Sequence, residues 1–183
     1  SEIVVQKFGG TSVGTVDRID SVAEIIKNAS KSNKIVVVVS AMGGETNRLV
    51  DLAKAFGDDP DKREFDALVS TGETVSSALL TMALHSKGVK AKSFSASQIS
   101  MRTTSSYSKA KILDVDAKKI LDVVENDTIP IITGFQGVTE GGDVTTLGRG
   151  GSDTTAVAIA AQISAIRCDI YTDVDGIFTT DPS

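Results

Sequence analysis

The chain has 183 residues, 40% of them hydrophobic, enough for one domain with a substantial core. A formal charge of −5, from 24 acidic and 19 basic side chains, argues against a nucleic-acid surface, which needs a dense basic patch. The single cysteine, Cys168, excludes an internal disulfide and fits a reducing cytoplasm, while one histidine and no Cys–His cluster argue against structural zinc.

Ser1-Glu2 leads straight into a strand pattern, so no leader segment is expected. Ile3–Phe8 is apolar and β-branched, a short buried strand ending at Gly9-Gly10. Val16, Ile19, Val22, Ala23 and Ile26 recur at helical spacing and predict a helix ending near 28–32. Ile35–Val39, all β-branched and apolar, predicts a strand covered on both faces; it is the longest such run and too short to cross a bilayer. Beyond Gly43-Gly44 a second helix carries Leu49, Leu52, Ala53 and Phe56 on one face, and Gly57-Asp58-Asp59-Pro60 breaks it. A third helix begins at Ser70-Thr71-Gly72-Glu73, with Val75, Ala78, Leu79, Met82 and Ala83 as its apolar stripe. His85 reads as a helix-end residue rather than a catalyst.

Lys90–Ser95 is a further strand candidate, and residues 98–109 read as a long polar loop. Asp114 is placed to cap a helix carrying Ile120, Leu121, Val123 and Val124. Ile129–Phe135 reads as a buried strand, and residues 138–144 as a hairpin turn. A helix over 154–165, a strand over 168–172 and a turn at 173–176 complete the pattern, with no internal repeat and no linker. Strands alternating with helices predict an α/β fold with a mainly parallel sheet between helical layers.

Three glycine-rich strand-to-helix loops stand out: Lys7 to Ser12, Met42 to Asn47, and Leu147 to Asp153. Glycine lets a backbone approach an anion closely, and the first N–H groups of a helix point at it. Arg149 adds a planar fork suited to a carboxylate or phosphate. Several such loops predict convergence on a phosphorylated ligand, and the absence of G-x-x-x-x-G-K-[ST] sets the chain apart from P-loop proteins.

Lys7-Phe8-Gly9-Gly10-Thr11-Ser12-Val13, Val39-Ser40-Ala41-Met42-Gly43-Gly44-Glu45-Thr46-Asn47, Ser70-Thr71-Gly72-Glu73, Gly134-Phe135-Gln136-Gly137, Gly148-Arg149-Gly150-Gly151-Ser152-Asp153 and Tyr171-Thr172-Asp173-Val174-Asp175-Gly176 resemble the aspartokinases, in that order and across nearly the whole chain. The resemblance implies the amino acid kinase fold, a three-layer αβα sandwich, with residues 1–183 forming a catalytic domain cut short at its C-terminal side and lacking regulatory ACT domains. It implies phosphorylation of the side-chain carboxylate of L-aspartate by ATP with Mg²⁺, the first step towards lysine, threonine and methionine. A homo-oligomer is expected of the full-length protein, with no nucleic-acid or membrane partner.

By the same resemblance Lys7 stabilises the transferred phosphoryl group and Asp153 helps orient that lysine. Arg149 takes the α-carboxylate of aspartate and Glu73 its ammonium. The spacing Ser70-x-x-Glu73 is also that of a capping box, and both roles can coexist. Ser40, Thr46, Asn47 and Ser152 are expected as small polar substrate contacts. Gly9, Gly10, Ser12, Thr172, Asp173 and Phe178 are expected on the nucleotide side. Mg²⁺ is expected on phosphate oxygens and water, with no protein ligand named. Aspartokinases commonly carry tyrosine at 178 and arginine at 183, where this chain has Phe178 and Ser183. The amino-acid half is thus expected to be complete and the nucleotide half not. Two other readings stay open: a sister kinase acting on glutamate or acetylglutamate, and a non-catalytic binding fragment. Arg149 and Glu73 together favour a free amino acid over an acetylated one.

Overall fold

The computed structural model describes residues 2–172 and 177–180. The chain opens with strand β1 (Ile3–Phe8), helix α1 (Val16–Ala29), β2 (Lys34–Val39), α2 (Glu45–Ala53), α3 (Lys62–Val69), α4 (Thr71–Ser86) and β3 (Ala91–Phe94). It continues through β4 (Arg102–Thr103), β5 (Ile112–Asp114), α5 (Ala117–Glu125), β6 (Ile129–Thr133), β7 (Gln136–Val138) and β8 (Val144–Thr146). Helix α6 (Gly151–Gln162), β9 (Arg167–Tyr171) and β10 (Ile177–Thr180) complete it.

Six strands form the main sheet in the order β10-β9-β1-β2-β6-β3, parallel except for β10. The run of valines in β2 is buried on both faces, as a central strand between helical layers must be. Val37, Val39 and Ile131 pack with Ile19, Val22 and Ile26 of α1 and Leu80 and Leu84 of α4. The alternate residues Val5, Val36, Val38 and Ile132 pack with Ile120 and Val124 of α5 and Ile159 of α6. This is the expected αβα sandwich.

Several local expectations are corrected. Helix α3 was not anticipated; Asp61 caps it by accepting from the Glu64 N–H at 3.0 Å. Helix α2 ends at Ala53, leaving Phe56 outside it and fully exposed, with Leu52 about half exposed. Helix α4 buries a different face from the one predicted: Gly72, Ser76, Ser77, Leu80, Thr81 and Leu84 point inward, while Val75 and Met82 are exposed. The buried hydroxyls donate to backbone carbonyls, Ser76 to Ser40 at 2.7 Å and Thr81 to Ser77 at 2.8 Å, so burying them leaves no orphan donor. Asp114 caps nothing; it pairs with Arg102 across β4 and β5, and Asp116 caps α5. Helix α6 begins at Gly151 rather than 154.

A second sheet, β5-β4-β7-β8, was also unforeseen apart from the hairpin of β7 and β8. Its strands are two or three residues long, too short to display an alternating pattern. The near-continuous helical run Lys62–Ser86 is long and apolar enough to span a membrane by length and composition, yet half of it is buried within the protein, as core helices are.

Candidate active site

The carboxyl ends of β1, β2, β6 and β9 are joined side by side beyond the sheet. The Gly9 N–H donates to Tyr171 O (3.1 Å), Ser40 to Phe8 O (3.0 Å), Gly43 to Gly10 O (2.9 Å) and Gly134 to Val39 O (2.9 Å). A Cβ on Gly10 would lie 3.1 Å from Ala41 O, and one on Gly43 would lie 3.1 Å from Gly10 O. Only glycine lets these two loops approach so closely. Open α/β sheets bind ligands at this edge.

A cavity of about 600 Å³ opens there. Two helices start at its wall, α2 after Gly44 (φ 84°) and α6 after Gly150 (φ 73°), and no side chain caps either of them. Their N-terminal amide groups and dipoles make this end of the cavity receptive to anions.

Strand alternation turns Lys7 to the same face as Val5, towards α6. Its Nζ lies 2.8 Å from Asp153 Oδ1 in the first turn of α6. The pair is an ion contact rather than an aligned hydrogen bond, for Asp153 Oδ1 is buried with no hydrogen-bond partner. A Cβ on Gly9 would come 3.3 Å from the ammonium, so the bare glycine leaves room for it.

Glu73, on α4, is 2% exposed. Its Oε2 accepts from the Ala41 N–H at 3.1 Å, while Oε1 is buried with no partner among the described residues. Burial pushes its carboxyl up to about 7, against the opposing pull of backbone donors. The capping box is not formed: the Glu73 carboxylate reaches across to the β2 loop, and the Ser70 hydroxyl bonds back to Ala67 O. Arg149 is exposed at the rim, with no side-chain partner among the described residues. One cavity thus presents a cation held by a carboxylate, a free cation, and a buried carboxyl with one oxygen unsatisfied.

A model of the amino acid kinase family matches residues 2–183. The chain belongs to the amino acid kinase family. It is 56% identical over 181 residues to the aspartate kinase Ask_LysC of Stutzerimonas stutzeri, covering 98% of this chain and 44% of that protein. It is 56% identical, with the same coverage, to an aspartokinase of Geobacillus stearothermophilus. Its structure is similar to that of E. coli aspartokinase III in complex with aspartate and ADP, with a TM-score of 0.86 and 29% identity, over 94% of this chain and 49% of that one. The chain therefore spans about 44% of the length of the curated relatives it matches.

Of the residues expected at the site, Lys7, Gly10 and Asp153 line the cavity. Ser40, Thr46, Asn47, Glu73, Arg149 and Ser152 line it too. Gly9 lies beneath Lys7, and Ser12 is fully buried behind the loop with its hydroxyl unpartnered, so neither forms the cavity wall. Thr172 is exposed just beyond β9. Asp173 and the Phe178 side chain lie outside the described residues. His85 sits in the last turn of α4, its Nε2 2.7 Å from Ala91 O, as a helix-end residue.

Two residues were given no role from the sequence. Phe135 lines the cavity with φ at 70°, an uncommon backbone state for an aromatic residue, and its N–H donates to Thr155 Oγ1 at 3.2 Å. Gln136 is buried: its Nε2 donates to Ser70 O (2.6 Å) and Thr74 Oγ1 (3.1 Å), and its Oε1 accepts from Thr133 Oγ1 (2.8 Å). It therefore fixes the first turn of α4, from which Glu73 projects. The Gly134-Phe135-Gln136-Gly137 motif was visible, but its two side chains carry no chemistry that names a role.

Proposed function

We propose that residues 1–183 form the amino acid kinase catalytic domain, or much of it, of an enzyme that transfers the γ-phosphoryl group of ATP to the side-chain carboxylate of L-aspartate. The observation that carries this reading is the arrangement of Glu73, Arg149 and the Lys7–Asp153 pair around one cavity. An amino acid has an ammonium for Glu73 and an α-carboxylate for Arg149. Its side-chain carboxylate is then left for the end of the cavity where Lys7 stands. A carboxylate of pKa ~3.9 is already ionised at neutral pH and needs no general base. Its oxygen bonds to the γ-phosphorus, the bond to the bridging oxygen breaks, and ADP leaves with that electron pair. Lys7 and the open helix ends offset the negative charge that accumulates, so catalysis is positioning and electrostatics.

Glu73 and Asp153 are the carboxylates that the described residues bring to the cavity, and Lys7 already engages Asp153. No group of three or more His, Cys, Asp or Glu side chains suited to a metal occurs among the described residues. This donor set fits a Mg²⁺ ion held mainly by nucleotide oxygens and water, which would shield the phosphate charge. Placement in the cytoplasm, at the first step towards lysine, threonine and methionine, and assembly into a homo-oligomer belong to the same proposal.

The test is ADP release, coupled to a reporter, from the 183-residue chain and from the full-length protein, with aspartate, glutamate and acetylglutamate offered in turn. Turnover with aspartate in the full-length protein is expected. Turnover confined to glutamate or its acetyl derivative would replace the substrate, and binding without turnover in the full-length protein would leave a non-catalytic module.

A further inference from the structure

Asp66 is a completely buried carboxylate to which no role has yet been given. Its Oδ2 accepts from the N–H groups of Ser108 and Thr146, each at 2.9 Å, and its Oδ1 accepts from Thr146 Oγ1 at 2.9 Å. Three donors supply what a buried carboxylate needs. They belong to two segments remote from α3 in sequence. Thr146 ends β8, three residues before Arg149. Ser108 sits in a left-handed conformation (φ 67°), and its carbonyl lies 3.3 Å from where a Cβ on Gly148 (φ 88°) would be. Two residues on, the Ala110 N–H donates to Thr146 O at 3.0 Å. A serine in that state is strained and persists only where its surroundings hold it.

One turn earlier on the same face of α3, Arg63 pairs with Asp143 at 2.8 Å, and Asp143 also accepts from the Tyr107 hydroxyl at 2.9 Å. Helix α3 therefore grips β8 just before its first residue and again at its last. Leu147 continues this grip, its N–H donating to Phe135 O at 3.0 Å, and beyond it the Gly151 N–H meets Gly148 O at 3.1 Å, with Arg149 standing between.

We propose that Asp66 is a positioning residue for the amino-acid half of the site, holding β8 and the 105–110 segment together so that Arg149 stands over the cavity. The proposal rests on the aspartate-kinase reading for its substrate, but not for its geometry. Asp66→Asn in the full-length protein removes the negative charge and one of the two acceptor oxygens, so its NH₂ group must face either the Thr146 hydroxyl, which then has to accept, or the two backbone N–H groups. Aspartate KM is expected to rise ~10-fold with ATP KM nearly constant. Adding Arg149→Ala is expected to cost less in that background than in the wild type, because the two act through one contact. Amide hydrogen exchange at 148–151 is expected to quicken while β1 and β2 stay protected. Thr146→Val, which keeps the backbone bond, is expected to give a smaller shift in the same direction, and Thr146→Ser to restore wild-type behaviour; these two carry the test should Asp66→Asn fail to fold. A lower melting temperature with unchanged aspartate KM would make Asp66 a structural staple only and overturn the proposal, as would equal rises in both KM values or full additivity with Arg149→Ala. Should the protein bind no aspartate, the substrate reading fails separately, and unchanged exchange at 148–151 would still overturn the positioning role.

Discussion

Lys7 owes its place to the parity of β1: one residue earlier or later in the strand, the ammonium would face α1 instead of Asp153. Lys7→Ala is expected to lower kcat ~10²–10³-fold, the cost of one preorganised charge contact in a transition state, with the melting temperature little changed. Near-normal kcat in a folded variant would remove Lys7 from catalysis. Arg149 has no partner to lose among the described residues, so Arg149→Ala should leave stability alone and raise aspartate KM roughly 10–100-fold, the range of a charge-assisted hydrogen bond, without moving ATP KM. Glu73 couples the site to pH. Its carboxyl lies near 7, raised from an ordinary 4.5 by burial, so between those values the folded protein holds a proton that the unfolded chain has released. Stability must therefore fall as pH rises through that window and level off above it, a loss on the order of 3 kcal/mol at most. Glu73→Gln should flatten that slope, as urea unfolding at several pH values would show. An ammonium prefers the ionised carboxylate, so aspartate affinity should climb roughly tenfold per pH unit up to about 7 and then flatten.

Helices α2 and α6 contribute their ends rather than their faces. Each starts from a left-handed glycine without a side-chain cap, which leaves amide groups open at the cavity instead of satisfied within the helix. The contact between the first and second glycine loops keeps the end of α2 beside that of β1. Gly43→Ala would bring a methyl group 3.1 Å from Gly10 O, a backbone atom that must give way. We expect a loss of ~1–3 kcal/mol in stability together with weakened turnover, since the loops would move apart. Gly141→Ala is the control: its nearest neighbour would be 3.9 Å away, and its unfolding midpoint should stay near wild type. Helix α4 makes the complementary point about faces. Its hydroxyl-bearing side is buried together with Leu80 and Leu84 because each hydroxyl finds a carbonyl, while Val75 and Met82 are left outside.

For the molecule as a whole, a ligand that binds only the folded state stabilises it by mass action. At about a hundred times its dissociation constant, aspartate should add ~2.7 kcal/mol, which for a domain of this size corresponds to roughly 5–10 °C in melting temperature. Arg149→Ala, with its roughly 10–100-fold weaker binding, should cut that gain to about 0.4–1.4 kcal/mol at the same concentration, as thermal melts of the two proteins would show. The sequence by itself determined the layered order of the sandwich. Runs such as Ile35–Val39 and the helical spacing in α1 are local periodicities, and they survive whatever packs against them. It also determined the glycine loops, and through the resemblance it named Lys7, Glu73, Arg149 and Asp153 together. Only the tertiary structure decided which polar groups are satisfied. It brought Lys7 to Asp153, left one oxygen of Glu73 unpaired, and gave Asp66 its three donors. The small sheet and the inner face of α4 were decided the same way. The reason is physical: an apolar pattern repeats along the chain, whereas the partner of a buried polar group comes from a distant segment and leaves no periodic trace.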